Sequence, residues 1–300
     1  EPAWPQDVLI EAEGGILVDA DSGTVLYGKN IHQRYYPASI TKILTALIVI
    51  ERCKLDDTIT FSYDAVHNVE SGSTSAGYGV GDKITVREAL YALLLRSANE
   101  VANALAEHCA GSREAFARLM NEKAASLGCK ESHFTNPSGL NDENHYTTAY
   151  DYSLIAMAAF KNPTFVEFDS TTYYELPPNS ANAEPFTIYC GHKMLKKSSG
   201  LYYSGIIGGK TGYTMTAGNT LVTCAERDNL KLITVILNGH LTHYSDTKKL
   251  LDFGFANFKA VNPEGTDNHY EKPQTDLDLV GRHKTLLSLS GGKTITLPKT

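Results

Sequence analysis

The sequence lacks any run of residues fit to cross a membrane as a helix. Its longest mostly apolar stretch, Ile43 to Ile50, has eight residues, against about 20 for a bilayer span. It also lacks a run of five or more basic residues, and its formal net charge is -7. That balance argues against nucleic acid and against a polybasic membrane contact. Cysteine is sparse: five residues, an odd number, with no Cys-x-x-Cys pair. This argues against a disulfide framework and for buried free thiols, with one disulfide left open. The ten histidines show no ligand spacing with these cysteines, which speaks against a zinc site. The chain starts at Glu1 rather than methionine, which fits a processed, exported protein.

What is present suffices for a large core. Of 300 residues, 42% are hydrophobic, and the length suits one large domain or two smaller ones. "GGILVDADSGTVLYGKN" reads as two strands around Asp21-Ser22-Gly23. "YYPASITKILTALIVI" reads as a helix with Pro37 at its first position, apolar on nearly all sides and therefore central and buried. "TVREALYALLLRS" opens with Thr85 and, three residues on, Glu88, the pattern of a capping box. Helices follow over "EVANALAEHCAGS", "REAFARLMNEKAASLG" and "TTAYDYSLIAMAAF", the first two stopping near Gly111 and Gly128, the last capped by Thr147 or Thr148. "FTNPSGLNDENHY" is loop, and Asn162 to Gly205 is irregular with short helices and strands. "GNTLVTCAERDNLKLITVILNG" is a hairpin turning at Asp228-Asn229, and "DTKKLLDFGFANF" closes the unit as a helix. Strands, then helices, then strands predict an α+β fold whose antiparallel sheet joins its first and last strands. After Phe258 a polar linker, "VNPEGTDNHYEKPQTD", precedes short strands around Gly291-Gly292. The expected division is 1–260 as the main domain and 261–300 as linker and part of a β-rich domain.

Three short motifs carry chemistry. In Ser39-Ile40-Thr41-Lys42, residues i and i+3 share a helix face, so serine and lysine can touch. A lysine buried in apolar surroundings loses proton affinity, and a neutral amine is a base for a serine hydroxyl. Ser97-Ala98-Asn99 sits between two helical stretches and can present a hydroxyl and a carboxamide together. Lys210-Thr211-Gly212 lies in a strand ahead of the hairpin. Its lysine can anchor a carboxylate, and its glycine lets another chain approach. Taken singly, each has a plainer reading: a snorkelling surface lysine, a capping pair, an edge-strand lysine.

Together and in this order, the motifs form the serine–lysine, Ser-x-Asn and Lys-Thr-Gly set of penicillin-binding proteins and class A β-lactamases. The chain resembles the low-molecular-mass penicillin-binding proteins that are D-alanyl-D-alanine carboxypeptidases. "YYPASITKILTALI", "LLLRSANEVANALAEH", "FTNPSGL…HYTTAYDYSLIA" and "IIGGKTGYTMTAGNTLVTCAERDNLKLITVILN" carry the likeness, over residues 10 to 258. The resemblance implies a β-lactamase/DD-peptidase-like fold and an exported location. It implies Ser39 as the acylated nucleophile and Lys42 as its general base. Ser97 would relay a proton to the leaving D-alanine, and Asn99 would bind the substrate peptide and fix Lys42. Lys210, Thr211 and Gly212 would hold the terminal carboxylate, although strict strand alternation puts Lys210 and Thr211 on opposite faces. The backbone N–H groups of Ser39 and Tyr213 would form the oxyanion hole. Lys193, in "GHKMLKK", is either the counterpart of a basic residue near the family's site or, on the plainer reading, a solvated surface charge. The substrate would be a peptidoglycan pentapeptide ending in D-Ala-D-Ala, with β-lactams as covalent inhibitors and no cofactor or metal. Membrane association would come only through a C-terminal anchor, which this chain does not show. The rivals are a serine β-lactamase, for which no Glu-x-x-Leu-Asn string is present, a non-catalytic relative, and a metal hydrolase built on His133 and His145.

Overall fold

The computed structural model describes residues 4–261 and 294–299. The chain begins with strands β1 (Gly14–Asp19) and β2 (Val25–Lys29), paired antiparallel. Helix α1 (Lys42–Arg52) follows, then β3 (Thr58–Thr60), α2 (Tyr63–His67), β4 (Lys83–Thr85), α3 (Val86–Tyr91), α4 (Asn99–Ala110) and α5 (Arg113–Ser126). After a loop come α6 (Ala149–Lys161), α7 (Pro163–Asp169) and a small hairpin of β5 (Tyr173–Leu176) and β6 (Phe186–Tyr189). Strands β7 (Ile206–Thr214), β8 (Gly218–Arg227) and β9 (Leu230–Gly239) then form a meander, and α8 (His243–Asn257) leads into β10 (Phe258–Val261) and β11 (Ile295–Pro298).

The main sheet has the order β2-β1-β9-β8-β7, so the first and last parts of the chain meet at the β1–β9 pairing. Both residues of the β8–β9 turn have positive φ, 51° at Asp228 and 62° at Asn229. That turn twist matches the twist of the strands it joins. Strand β9 is apolar almost throughout because both faces of the sheet are covered. Leu232 and Ile236 pack with Leu250, Leu251 and Phe253 of α8. Ile233, Val235 and Leu237, alternating with them, pack against the helices on the other face. Helix α1 lies at the centre of that second core, with Lys42 to Val49 all buried.

The start of this helix differs from the sequence expectation. Pro37 precedes a 3-10 turn over Ala38–Thr41, and α1 proper begins at Lys42. Ala38 has φ 50°. The backbone of Gly139 lies against the Ala38 carbonyl so closely that a Cβ at Gly139 would overlap it. In a 3-10 turn residues i and i+3 eclipse, which aligns Ser39 with Lys42 more directly than an α-helix would. The predicted caps at Thr85 with Glu88 and at Thr148 are present. Gly111 and Gly128, at the ends of α4 and α5, have φ 84° and 94°. All five cysteines are free thiols. Strand β11 pairs with β10, and Thr296 hydrogen-bonds Asp19 at the end of β1. The predicted polar linker and the turn at Gly291-Gly292 lie outside the described residues.

Candidate active site

The three motifs arrive from three directions. The 3-10 turn brings Ser39, the junction before α4 brings Ser97 and Asn99, and the edge strand β7 brings Lys210 to Tyr213. Lys42 is completely buried. Its Nζ donates to Ser39 Oγ at 3.0 Å, to Asn99 Oδ1 at 2.7 Å and to the Ser138 carbonyl at 2.7 Å. Burial drives its pKa well below the usual lysine value. The positive charge of Lys210 adds to this, while Glu100 opposes it.

The three contacts of Nζ are not equivalent. An ammonium has three protons and no lone pair; a neutral amine has two protons and one lone pair. The Ser138 carbonyl can only accept, and Asn99 Oδ1 can only accept. Once Lys42 is neutral, its two protons satisfy these two oxygens, and its lone pair faces the one partner that can donate, the Ser39 hydroxyl. The geometry therefore suits proton transfer from Ser39 to Lys42.

Ser138 was not singled out by the sequence motifs, because it contributes a main-chain carbonyl. Its loop is held in several places. Thr45 donates to the Pro137 carbonyl at 2.7 Å. Asn136 Oδ1 accepts from the Ser138 and Gly139 N–H groups. His145 Nδ1 accepts from Thr135 N–H, which leaves Nε2 to donate to Thr41 Oγ1 at 2.9 Å. Burial lowers the His145 pKa to about 3, so this ring is a neutral strut. His133 bonds the Asn144 carbonyl instead, and among the described residues no three metal-ligating side chains converge.

Ser97 is turned toward the edge strand. It ends the turn after α3 in the left-handed region, φ 62° and ψ 32°. That turn aims its hydroxyl at β7, where it accepts from Lys210 Nζ at 3.0 Å, and not at Lys42. Lys210 also donates to the Thr211 carbonyl at 2.8 Å. Burial lowers the Lys210 pKa to about 8. Thr211 is half-buried and reaches the same cavity as Lys210. Alternation does not separate them, because the cavity runs along the unpaired edge of β7.

Gly212 brings the strand against the nucleophile turn. A Cβ there would lie 2.8 Å from the Ser39 nitrogen and would overlap Thr220 Oγ1. Thr220 in turn donates to the Pro37 carbonyl at 2.8 Å. The wall opposite is fixed by buried Glu100, whose Oε1 accepts from Ser75 Oγ, Ala76 N–H and Gly77 N–H at 2.7 to 3.1 Å. Asn99 N–H donates to the Thr74 carbonyl of the same wall.

Ser39 stands at the junction of two cavities. The larger, about 820 Å³, is lined by Arg96, Ser97, Lys193, Lys210 and Thr211 among others. Its charged side chains are all cationic, although the protein as a whole is acidic. The smaller, about 440 Å³, is lined by Thr74, Asn99, Ser138, Asn141 and Tyr213, with Glu70 at its rim.

Comparison with known proteins points to one family. The family model described as D-alanyl-D-alanine carboxypeptidase matches residues 2–240. A D-alanyl-D-alanine carboxypeptidase of Bacillus subtilis is 33% identical over 83% of this chain and 64% of its own length. One of Mycobacterium tuberculosis is 33% identical over 85% of this chain and 84% of its own. The chain thus spans just under two thirds of the Bacillus relative. Among solved structures, a Streptomyces DD-transpeptidase superposes with a TM-score of 0.77 at 31% identity, covering 84% of this chain and all of that one. Penicillin-binding protein 6B of Escherichia coli gives a TM-score of 0.81 at 26% identity, covering 99% of this chain and 87% of that one.

Proposed function

The chain belongs to the D-alanyl-D-alanine carboxypeptidase family, and from that premise we propose that it removes the terminal D-alanine from peptidoglycan pentapeptides through a Ser39 acyl-enzyme. The observation that carries the reading is the Nζ of Lys42, which reserves its lone pair for the Ser39 hydroxyl.

In the proposed reaction Lys42 takes the proton of Ser39 as Oγ attacks the D-Ala-D-Ala carbonyl. Negative charge develops on the carbonyl oxygen. The N–H groups of Ser39 and Tyr213 are the proposed donors to it, a role supported by the close approach of Gly212 to the Ser39 nitrogen. One such donor is worth roughly a hundred- to a thousand-fold in rate. The C–N bond then breaks, and the departing amine takes up the proton that Lys42 accepted, which leaves Lys42 neutral again; Ser97, hydrogen-bonded to Lys210 in the free protein, is the proposed relay. The carboxylate of the leaving D-alanine lies with Lys210 and Thr211 in the cationic cavity, where Lys193 and Arg96 add to the field. The acyl portion extends the other way, past Asn99 and Tyr213. Water, activated by Lys42, releases the shortened peptide.

The same proposal covers β-lactams as acylating inhibitors of Ser39 and an extracytoplasmic location. It also covers a catalytic unit over residues 1–260 followed by linker and part of a β-rich domain over 261–300. No helix among the described residues is long and apolar enough to cross a membrane. The test is D-alanine release from a D-Ala-D-Ala peptide by the wild type and by Ser39→Ala. Release by the wild type alone supports the reading. Equal release removes Ser39 from its role, and rapid turnover of penicillin would point to a β-lactamase.

A further inference from the structure

Behind Lys210 lies a carboxylate that the reaction above does not use. Asp169 ends α7 and is 2% exposed. A Cβ at Gly208 would sit 2.5 Å from its Oδ2 and 3.1 Å from its carbonyl oxygen. The two glycines before the Lys-Thr-Gly motif are therefore needed where they stand: Gly208 admits Asp169, and a Cβ at Gly209 would sit 2.8 Å from the His192 ring. The Gly209 backbone lies beside the Asp169 carboxylate and favours its ionised form, while Oδ2 has no hydrogen-bond partner among the described residues. A buried carboxylate so poorly satisfied is costly unless a cation lies near it.

The groups facing it leave one candidate for that cation. Phe160 of α6 closes in from the helical side. Cys190, which follows β6, and Cys224 of β8 both feel its charge. Burial raises the pKa of each thiol, so both are uncharged near neutrality. Burial lowers the His192 pKa to about 3, so its ring is neutral as well. Lys210, two residues beyond Gly208 in β7 and so on the face that Asp169 lies against, is the remaining charge; Lys42, on the far side of Lys210, is driven toward its neutral form by burial.

We propose that Asp169 is a positioning residue acting through Lys210: its buried carboxylate keeps Lys210 cationic above neutral pH and so sets the range over which the cavity holds a carboxylate. This rests on the reading that the cavity takes a carboxylate-terminated substrate. Burial raises the Asp169 pKa to about 7, the charge on Lys210 working against the rise. Burial also lowers Lys210 to about 8. Below pH 7 Asp169 is protonated and Lys210 stays charged unaided. Above pH 7 Asp169 ionises, just where Lys210 would otherwise begin to lose its proton.

The test is the pH dependence of D-alanine release by Asp169→Asn. At pH 6 the variant should lie within about twofold of the wild type. Its alkaline limb should fall about one pH unit earlier, raising KM roughly fivefold at pH 8 with little change in kcat. Superimposable alkaline limbs, or an equal loss at pH 6 and pH 8, would overturn the proposal. A second measurement needs neither activity nor that variant. In carboxyl ¹³C NMR of the whole chain, Lys210→Met should move the resonance that titrates near pH 7 to higher pH; an unmoved titration would overturn the coupling. Absence of D-alanine release by the wild type would refute the activity reading alone, with the NMR coupling still measurable.

Discussion

Replacing Gly212 by alanine tests the packing of β7 on the nucleophile turn. The added Cβ would lie 2.8 Å from the Ser39 nitrogen and 3.1 Å from the Ile40 nitrogen, and would overlap Thr220 Oγ1. Ordinary contact begins at 3.4 Å, so the strand must retreat from Ser39 by about 0.6 Å. Oxyanion donors work at roughly 2.7–3.1 Å, and a retreat of that size takes the Tyr213 N–H out of reach, a loss of about 2.7–4 kcal/mol or a hundred- to a thousand-fold in rate. The stability cost is that of overpacking, about 1–3 kcal/mol. The assay is the second-order rate of acylation by a labelled penicillin, with thermal unfolding measured beside it. Adding Thr220→Ala relieves the overlap with its hydroxyl but not the approach to Ser39. The double variant should therefore regain stability and stay slow. A folded Gly212→Ala protein acylated within tenfold of the wild-type rate would refute the reasoning.

Lys42→Met should reduce acylation at least a thousand-fold while leaving the fold intact, since an apolar side chain suits a fully buried position. The folded-state pKa of Lys42 is lowered, so the unfolded chain binds more protons and stability rises with pH from that lowered value up to about 10.4. Lys42→Met should flatten this part of the unfolding-against-pH curve; an unchanged slope would contradict the burial argument. Asn229→Val places a β-branched residue at φ 62°. It should cost about 1–2 kcal/mol of stability and leave acylation unchanged, as measured by chemical denaturation and penicillin labelling.

Much of this architecture could be read from local chemistry. The Asp228-Asn229 turn, the Thr85–Glu88 capping box and the apolar strand β9 each declare themselves through side chains. So do the three motifs, whose order carries the family resemblance. What escaped was carried by main chain or by long-range contact. The Ser138 carbonyl that fixes Lys42 has no side-chain signature. The turn of Ser97 toward Lys210 depends on one left-handed residue at the end of a helix. The 3-10 start at Ala38 follows from the backbone of Gly139, about a hundred residues away in the chain. Asp169, in "FVEFDS", belongs to none of the motifs and is buried only by the packing of α7 on β7. The small hairpin of β5 and β6 was hidden by Pro177, Pro178 and Pro185, which lie in the connection between its strands.

The most direct test of the account is the site of covalent attachment. The protein should be treated with penicillin, quenched in acid and mapped by peptide mass spectrometry. The adduct is predicted on Ser39, absent from Ser39→Ala and barely formed by Lys42→Met in the same time. An adduct on another residue, or equal labelling of Lys42→Met, would contradict the claim that Lys42 activates Ser39.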